Sequence, residues 1–330
     1  MPFPDLLSAL SCARGMWLLI GVITILFAVI VRAQLWAALL GNGVRLSDSF
    51  WAESIGYLFT NVLPLRMGDP ARVFVMSKRS SLPVVHVATS AAIERLLDVL
   101  TILAVLVAIF PFMHVPYQVK KAGIVFGLAV LLMLVALIFL VKLNGRGERV
   151  LKSICRFVPI IPVERVLKIW QELAEGAAAL SSARIAVRVL VLSLLTWALS
   201  VGTYWCFLRS FQPDATLTEA AFMLVAVCLA ITLPSSPGFI GIFQWVGQQA
   251  LVLPFNGKYD HATALAVTLT LHLLTYILTS LLGVIGLSRF GLSFVRLREG
   301  IVEDPNDHQQ EEAFSTEVTY LADLGETSPR

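Results

Sequence analysis

Five stretches of this chain are apolar over the length of a bilayer crossing: Trp17–Leu40, Val84–Phe112, Ala122–Leu143, Val187–Leu208 and His261–Phe290. A transmembrane helix needs about 20 predominantly apolar residues. Charged residues make up only 14% of the chain, against about 25% in soluble domains. A water-soluble core of this size would leave large apolar patches exposed, so a bilayer is the solvent that fits. The spacing predicts an all-α, polytopic integral membrane bundle with five full spans. Trp17, Trp36 and Trp205 sit toward the ends of their runs, where aromatic belts lie.

Two further apolar regions are short and broken. One runs from Phe50 to Leu65 and meets Arg66-Met67-Gly68-Asp69-Pro70; the other runs from Ala220 to Leu233, meets Pro234-Ser235-Ser236-Pro237-Gly238 and resumes to Leu253. Irregular backbone at membrane depth survives only where protein buries it or where it lines a wet cavity. Both regions are therefore predicted to be re-entrant helical hairpins. Leu46-Ser47-Asp48 and Leu217-Thr218-Glu219 begin them, each with a capping residue and an acid. Each then reaches a Leu-Pro step, Leu63-Pro64 and Leu233-Pro234, followed by glycine. The distribution of Lys and Arg predicts two hairpins of opposite orientation, and this weak internal repeat agrees, as in secondary transporters built from inverted repeats; chance similarity in an apolar sequence is the alternative.

Orientation follows from Lys and Arg. Nine basic residues lie between Lys142 and Arg188, and Arg72, Lys78 and Arg79 form a smaller group. Both are predicted to be cytoplasmic, with Lys120 and Lys121 outside as a minor exception. Residues 1–16 read as an N-terminal segment, 17–290 as the membrane domain and 291–330 as a disordered cytoplasmic tail. From Glu299 onward that tail carries nine acidic residues and one basic one. The expected location is the inner (plasma) membrane, multi-pass, with the C-terminus cytoplasmic.

The basic excess elsewhere is membrane topology, not a nucleic-acid face. Cys12, Cys155, Cys206 and Cys228 form no C-x-x-C pair, so no metal site is predicted. No cofactor motif is present, and neither G-x-S-x-G, H-E-x-x-H nor a P-loop occurs.

Three clusters can carry chemistry. The first is Asn61, Pro64, Arg66, Gly68, Asp69 and Arg72. Arginine offers a planar fork of donors that matches phosphate, and Asp69 can balance its charge in an empty site. The bland alternative is ordinary cytoplasmic loop charge. The second is Glu94, Arg95 and Asp98, with the two acids four apart on one helix face. Glu94 lies deep in an apolar run, where charges face a bundle interior or cavity. A substrate or proton-coupling role competes there with a plain internal salt bridge. The third is Ser235, Ser236, Gly238 and Gly241, where a helix start after Gly238 would attract an anion, against a ligand-free tight turn. His272 is a candidate proton relay within its apolar run, and His86 a weaker one; packing is the alternative for both.

Asn61-x-x-Pro64-x-Arg66-x-Gly68-Asp69-x-x-Arg72, Glu94-Arg95-x-x-Asp98 and Pro234-x-x-Pro237-Gly238-x-x-Gly241 together resemble the transmembrane flippase region of the lysylphosphatidylglycerol synthetase family. The resemblance covers about Trp17 to Phe290 and implies a stand-alone flippase-like transporter. It would move an anionic or polyprenyl-type lipid between leaflets by alternating access. Arg66, Asp69, Arg72, Glu94, Arg95 and Asp98 would then sit in or beside the translocation cavity. Asp69 stands where the family pattern has glutamate, and Gln244 where many relatives have an acid. The pattern also has an apolar helix ahead of the one starting near Trp17, where this sequence has only a short segment. Residues beyond Phe290 do not read as an aminoacyl-transferase domain. An intramembrane lipid-modifying enzyme, using Ser235, Glu94, Asp98 or His272, is the runner-up. A scaffold for lipid-biosynthesis enzymes is the third reading.

Overall fold

The computed structural model describes residues 3–41, 43–64, 67–112, 182–232, 236–255 and 257–294, with residues 125, 128 and 297. Apart from residues 125 and 128, the predicted span Ala122–Leu143 lies outside the described residues, as do almost all of the basic loop that follows it, Lys120, Lys121, Cys155 and the acidic tail.

Among the described residues the secondary structure is helical. A short α1 (Phe3–Ser11) packs on the long helix His261–Phe290. Then come α2 (Gly15–Leu40), α3 (Leu46–Val62), α4 (Gly68–Arg79) and α5 (Val84–Ile109). After the undescribed stretch follow α6 (Ala183–Phe211), α7 (Leu217–Ile231), α8 (Ile242–Val252) and α9 (His261–Phe290). A 3-10 turn, Pro237–Phe239, lies between α7 and α8.

α2, α6 and α9 are long and apolar enough to cross a membrane. α5 is equally long at 26 residues, but Glu94, Arg95 and Asp98 remove it from that class. Thus three of the five predicted spans appear as apolar crossing helices, and a fourth is a long helix with a charged centre. The outer faces are greasy in register. Leu19, Ile23 and Phe27 on α2, and Leu273, Ile277, Leu281 and Val284 on α9, are exposed at spacings of three or four. That is one helical stripe, of the kind lipid covers.

The order long helix, helical hairpin, long helix occurs twice. α2 precedes the α3–α4 pair and α5 follows it; α6 precedes the α7–α8 pair and α9 follows it. Packing obeys the same exchange, with α2 lying along α6, α3 against α9 and α7 against α5. α2 and α6 run antiparallel, since the Arg14 amide donates to the Ser210 carbonyl and Thr203 donates to Thr24. Gly21 lets the two backbones approach, because a Cβ there would sit 2.6 Å from the Phe207 ring.

Local chemistry explains the hairpins. α3 and α4 are 17 and 12 residues long, or roughly 25 and 18 Å. α7 and α8, at 15 and 11 residues, measure roughly 22 and 17 Å. None reaches across a hydrocarbon core of about 30 Å. α7 starts with a capping box between Thr216 and Glu219, so Thr216 and not Thr218 is the cap. α3 starts after Arg45 without a side-chain cap, which removes that part of the predicted parallel.

Glu219 also accepts from Lys258 Nζ at 2.7 Å and Tyr259 Oη at 2.6 Å, latching the start of α7 to the approach to α9. Burial, then the hydrogen bond to Glu219 and that carboxylate's charge, push the Tyr259 hydroxyl well above its ordinary range.

Candidate functional site

The core of the first half is an ion cluster, and its chemistry begins with α3 meeting α4. Gly68 opens α4 against α3 so closely that a Cβ would strike Thr60 Oγ1 and the Gly56 carbonyl. That approach places Arg72, one turn on, against Glu53, to which its Nη1 donates. The same Nη1 donates to Glu94 Oε2 at 2.8 Å, and Arg72 Nε lies 3.1 Å from Asp69 Oδ1. The guanidinium rests on the Trp36 ring, 4.7 Å from its centroid. Trp36 is fully buried and donates to Ser90 Oγ at 3.0 Å. It is a floor for Arg72, not the interfacial belt residue its position in the sequence predicts.

α2 contributes Arg32. Its Nη2 is 2.5 Å from Asp98 Oδ2 and 2.6 Å from Glu94 Oε1. The Glu94 contact is an ion pair at an angle that makes no hydrogen bond. Arg95 Nη1 lies 3.1 Å from Asp98 Oδ2 and its Nη2 3.1 Å from Asp69 Oδ1. Trp197 of α6 donates to the other Asp98 oxygen at 3.0 Å. Glu94 and Asp98 do share one face, and Arg32 binds both.

Beside this cluster lies a cavity of about 340 Å³. Arg32, Glu53, Asp69, Arg72 and Arg95 form its charged wall. Thr196, Ser200 and Thr203 of α6 and Thr275, Tyr276 and Thr279 of α9 give it a hydroxyl-rich side. Leu224, Phe239 and Phe243 make it apolar toward the second hairpin. Charged donors at one end and apolar walls at the other suit an amphiphile.

The two hairpin tips meet at this cavity. Asn61 Nδ2 donates to Thr279 Oγ1 at 3.0 Å and to Ser280 Oγ at 2.9 Å, while Tyr276 Oη donates to the Asn61 carbonyl at 3.2 Å. Gly238 is buried on the same carbonyl, where a Cβ would lie 2.8 Å from it and 2.6 Å from the Tyr276 ring. Its φ of 61° is one that glycine adopts without strain. Phe239 follows with φ 60°, uncommon for a side chain of that size.

Of the residues predicted from sequence, Asn61, Gly68, Asp69, Arg72, Arg95 and His272 line the cavity. Glu94 is fully buried behind Arg72 and Arg32, and Asp98 is buried beside it. Ser236 is exposed and its hydroxyl donates to the Ile240 carbonyl at 2.6 Å. Gly241 is exposed and precedes α8, so the helix starts at Ile242 and not directly after Gly238. Its amide donates to Gln244 Oε1 at 2.7 Å. Arg66 and Ser235 lie outside the described residues. His272 stacks on Phe243 at 4.3 Å and has Gln244 Nε2 2.7 Å from its Nδ1. That arrangement braces the second tip. His86 meets the Leu40 carbonyl at 3.2 Å, away from the cavity lining.

Sequence reasoning passed over Arg32 and Glu53. Each is a single charge within an apolar stretch, and such a charge alone marks a bundle interior.

No curated protein and no solved structure matches the chain. The family model described as the lysylphosphatidylglycerol synthase TM region matches residues 3–283. With helices fit to cross a bilayer and a match over most of its length, the chain is a helical membrane protein belonging to the lysylphosphatidylglycerol synthase transmembrane-region family, whose function concerns membrane lipids.

Proposed function

We propose that this protein carries a lipid head group between leaflets by alternating access. The observation that carries this reading is the cavity in which three guanidinium groups face hydroxyl and apolar walls between two helical hairpins. A phosphate would take the free donors of the arginines, while the acyl or prenyl chains remain in the bilayer. The tip-to-tip contact of Asn61 with Gly238 and Tyr276 acts as the closed gate on one side.

In this reading both hairpins are re-entrant and enter from opposite faces. The short legs, the repeated element order and the antiparallel α2–α6 pair support it. The inner membrane with a cytoplasmic C-terminus is the matching placement, by the charge asymmetry of the sequence. Anionic phospholipid or a polyprenyl phosphate carrier is the substrate class.

The test uses full-length protein in proteoliposomes with fluorescent phosphatidylglycerol, whose accessible fraction is read by a membrane-impermeant quencher. Wild type moves probe between leaflets. Arg95→Ala, at a half-exposed cavity position, inserts and folds but loses most of that movement. Wild-type vesicles indistinguishable from protein-free ones would end the proposal.

A further inference from the structure

Among the described residues the ion cluster does not balance. Glu53, Asp69, Glu94 and Asp98 face Arg32, Arg72 and Arg95, four carboxylates against three guanidinium groups. Fully ionised, it holds one negative charge in excess. An uncompensated charge away from water is strongly disfavoured.

The excess falls on one residue. Glu94 has Arg32 and Arg72, Asp98 has Arg32 and Arg95, and Asp69 has Arg72 and Arg95. Glu53 has Arg72 alone, on the Nη1 that it shares with Glu94. Its side chain is 2% exposed, yet it lines the cavity. Arg72 is itself 1% exposed, lines the same cavity, and keeps Nε and Nη2 without hydrogen-bond partners. A buried fork with free donors beside a cavity is a place for an anion.

The groups around Glu53 are few. Arg32 comes from α2, Tyr57 from α3 itself, Asp69 and Arg72 from α4, and Glu94 and Arg95 from α5. α9, which packs along α3, brings Tyr276 to Asn61 and Arg289 over the Trp51 ring. His272 lines the far part of the cavity. Among the described residues none of these forms a second ion pair with Glu53; Arg32 and Arg95 act on it only from farther off.

From this geometry we infer that Glu53 is a proton-binding site worked by the lipid phosphate, an inference that rests on the transport reading above. With the cavity empty, the Glu53 carboxylate holds Arg72. A phosphate entering the cavity takes the free Nη2 of Arg72 and draws Nη1 from Glu53. Left beside an anion, the Glu53 carboxylate takes a proton from a buffer acid or hydronium: one O–H bond forms on Glu53 as the donor's bond to hydrogen breaks, and the donor's conjugate base stays in solution. Departure of the phosphate returns Arg72 to Glu53 and releases the proton. Proton binding and head-group binding therefore rise together, and a proton gradient across the membrane can drive lipid movement.

The experiment is calorimetric titration of detergent-solubilised full chain with short-chain phosphatidylglycerol, in buffers of different ionisation enthalpy. The slope of heat against buffer enthalpy counts protons. Wild type is expected to take up about one proton per probe bound. Glu53→Gln is expected to bind probe with no uptake, and Glu53→Asp to restore part of it. Asp69→Asn, which alters an acid with two cations, is expected to retain the uptake. Probe binding by wild type without proton uptake would overturn the inference while leaving transport intact, as would equal uptake by Glu53→Gln. Proton uptake without lipid movement in proteoliposomes would overturn the transport reading and leave the proton site standing. Absence of probe binding to wild type would overturn both.

Discussion

Arg32 on α2 and Asp98 on α5 meet at 2.5 Å across 66 residues of sequence. Arg32 also pairs with Glu94, and Asp98 also with Arg95. Replacing one member of a buried pair strands its partner, at about 3–5 kcal/mol. Arg32→Ala should destabilise the protein by about that much, since both Asp98 and Glu94 lose a cation. Adding Asp98→Asn should recover part of the loss. Thermal unfolding in detergent across the four-member double-mutant cycle checks this, and additive losses would show the pair to be energetically independent.

The approach of α4 to α3 depends on Gly68. Gly68→Ala puts a methyl group into Thr60 Oγ1 and the Gly56 carbonyl. Overpacking of that kind costs about 1–3 kcal/mol, and it moves Arg72 away from Glu53. Gly202 in α6 is the control, because a Cβ there meets no heavy atom within 4 Å. Gly202→Ala should raise stability by about 0.5–1 kcal/mol. Paired melting curves of the two variants give the comparison.

Asn61 ties the first hairpin tip to the middle of α9. Asn61→Ala removes its bonds to Thr279 and Ser280, a loss of about 1–3 kcal/mol. On the gate reading, lipid movement changes more than stability does. Tyr276→Phe, which deletes only the bond to the Asn61 carbonyl, should alter it in the same direction and more weakly. Quencher-accessibility rates and melting temperatures for both variants separate gating from simple loss of fold.

Tyr259 makes stability sensitive to alkali. Its hydroxyl ionises higher in the folded chain than in the unfolded one. The contribution is fully present below the ordinary tyrosine value of about 10. It falls as pH rises past that value toward the folded one, because only the unfolded state releases the proton. Tyr259→Phe should therefore have a shallower decline of melting temperature in alkaline buffer than wild type. Equal slopes would show that other groups set the alkaline limit.

Helix positions were legible because a bilayer imposes a coarse rule on composition. His261–Phe290 matches the predicted run at both ends, and the Leu63-Pro64 and Pro237-Gly238 breaks do separate short helices. The pairing of Glu94 and Asp98 on one face followed from helical periodicity. Arg32 and Glu53 were missed because nothing beside them in sequence is charged for them to bind. Their partners are 66 and 19 residues away and belong to other helices. Trp36 was misplaced for a related reason. Position within a run predicts depth along a helix, but not the azimuth that turned this ring under Arg72.

The charged centre of α5 bears on how the chain is made. Acid or arginine at mid-helix disfavours insertion by about 2.5–3.5 kcal/mol per residue, and α5 brings three such residues. Arg32 leaves the ribosome well ahead of them, within a helix greasy enough to enter lipid unaided. Its acids, Glu94 and Asp98, come more than 60 residues later in the chain. By this arithmetic α5 is expected to enter the membrane poorly alone and better in company with α2, whose Arg32 offsets the charge of its acids.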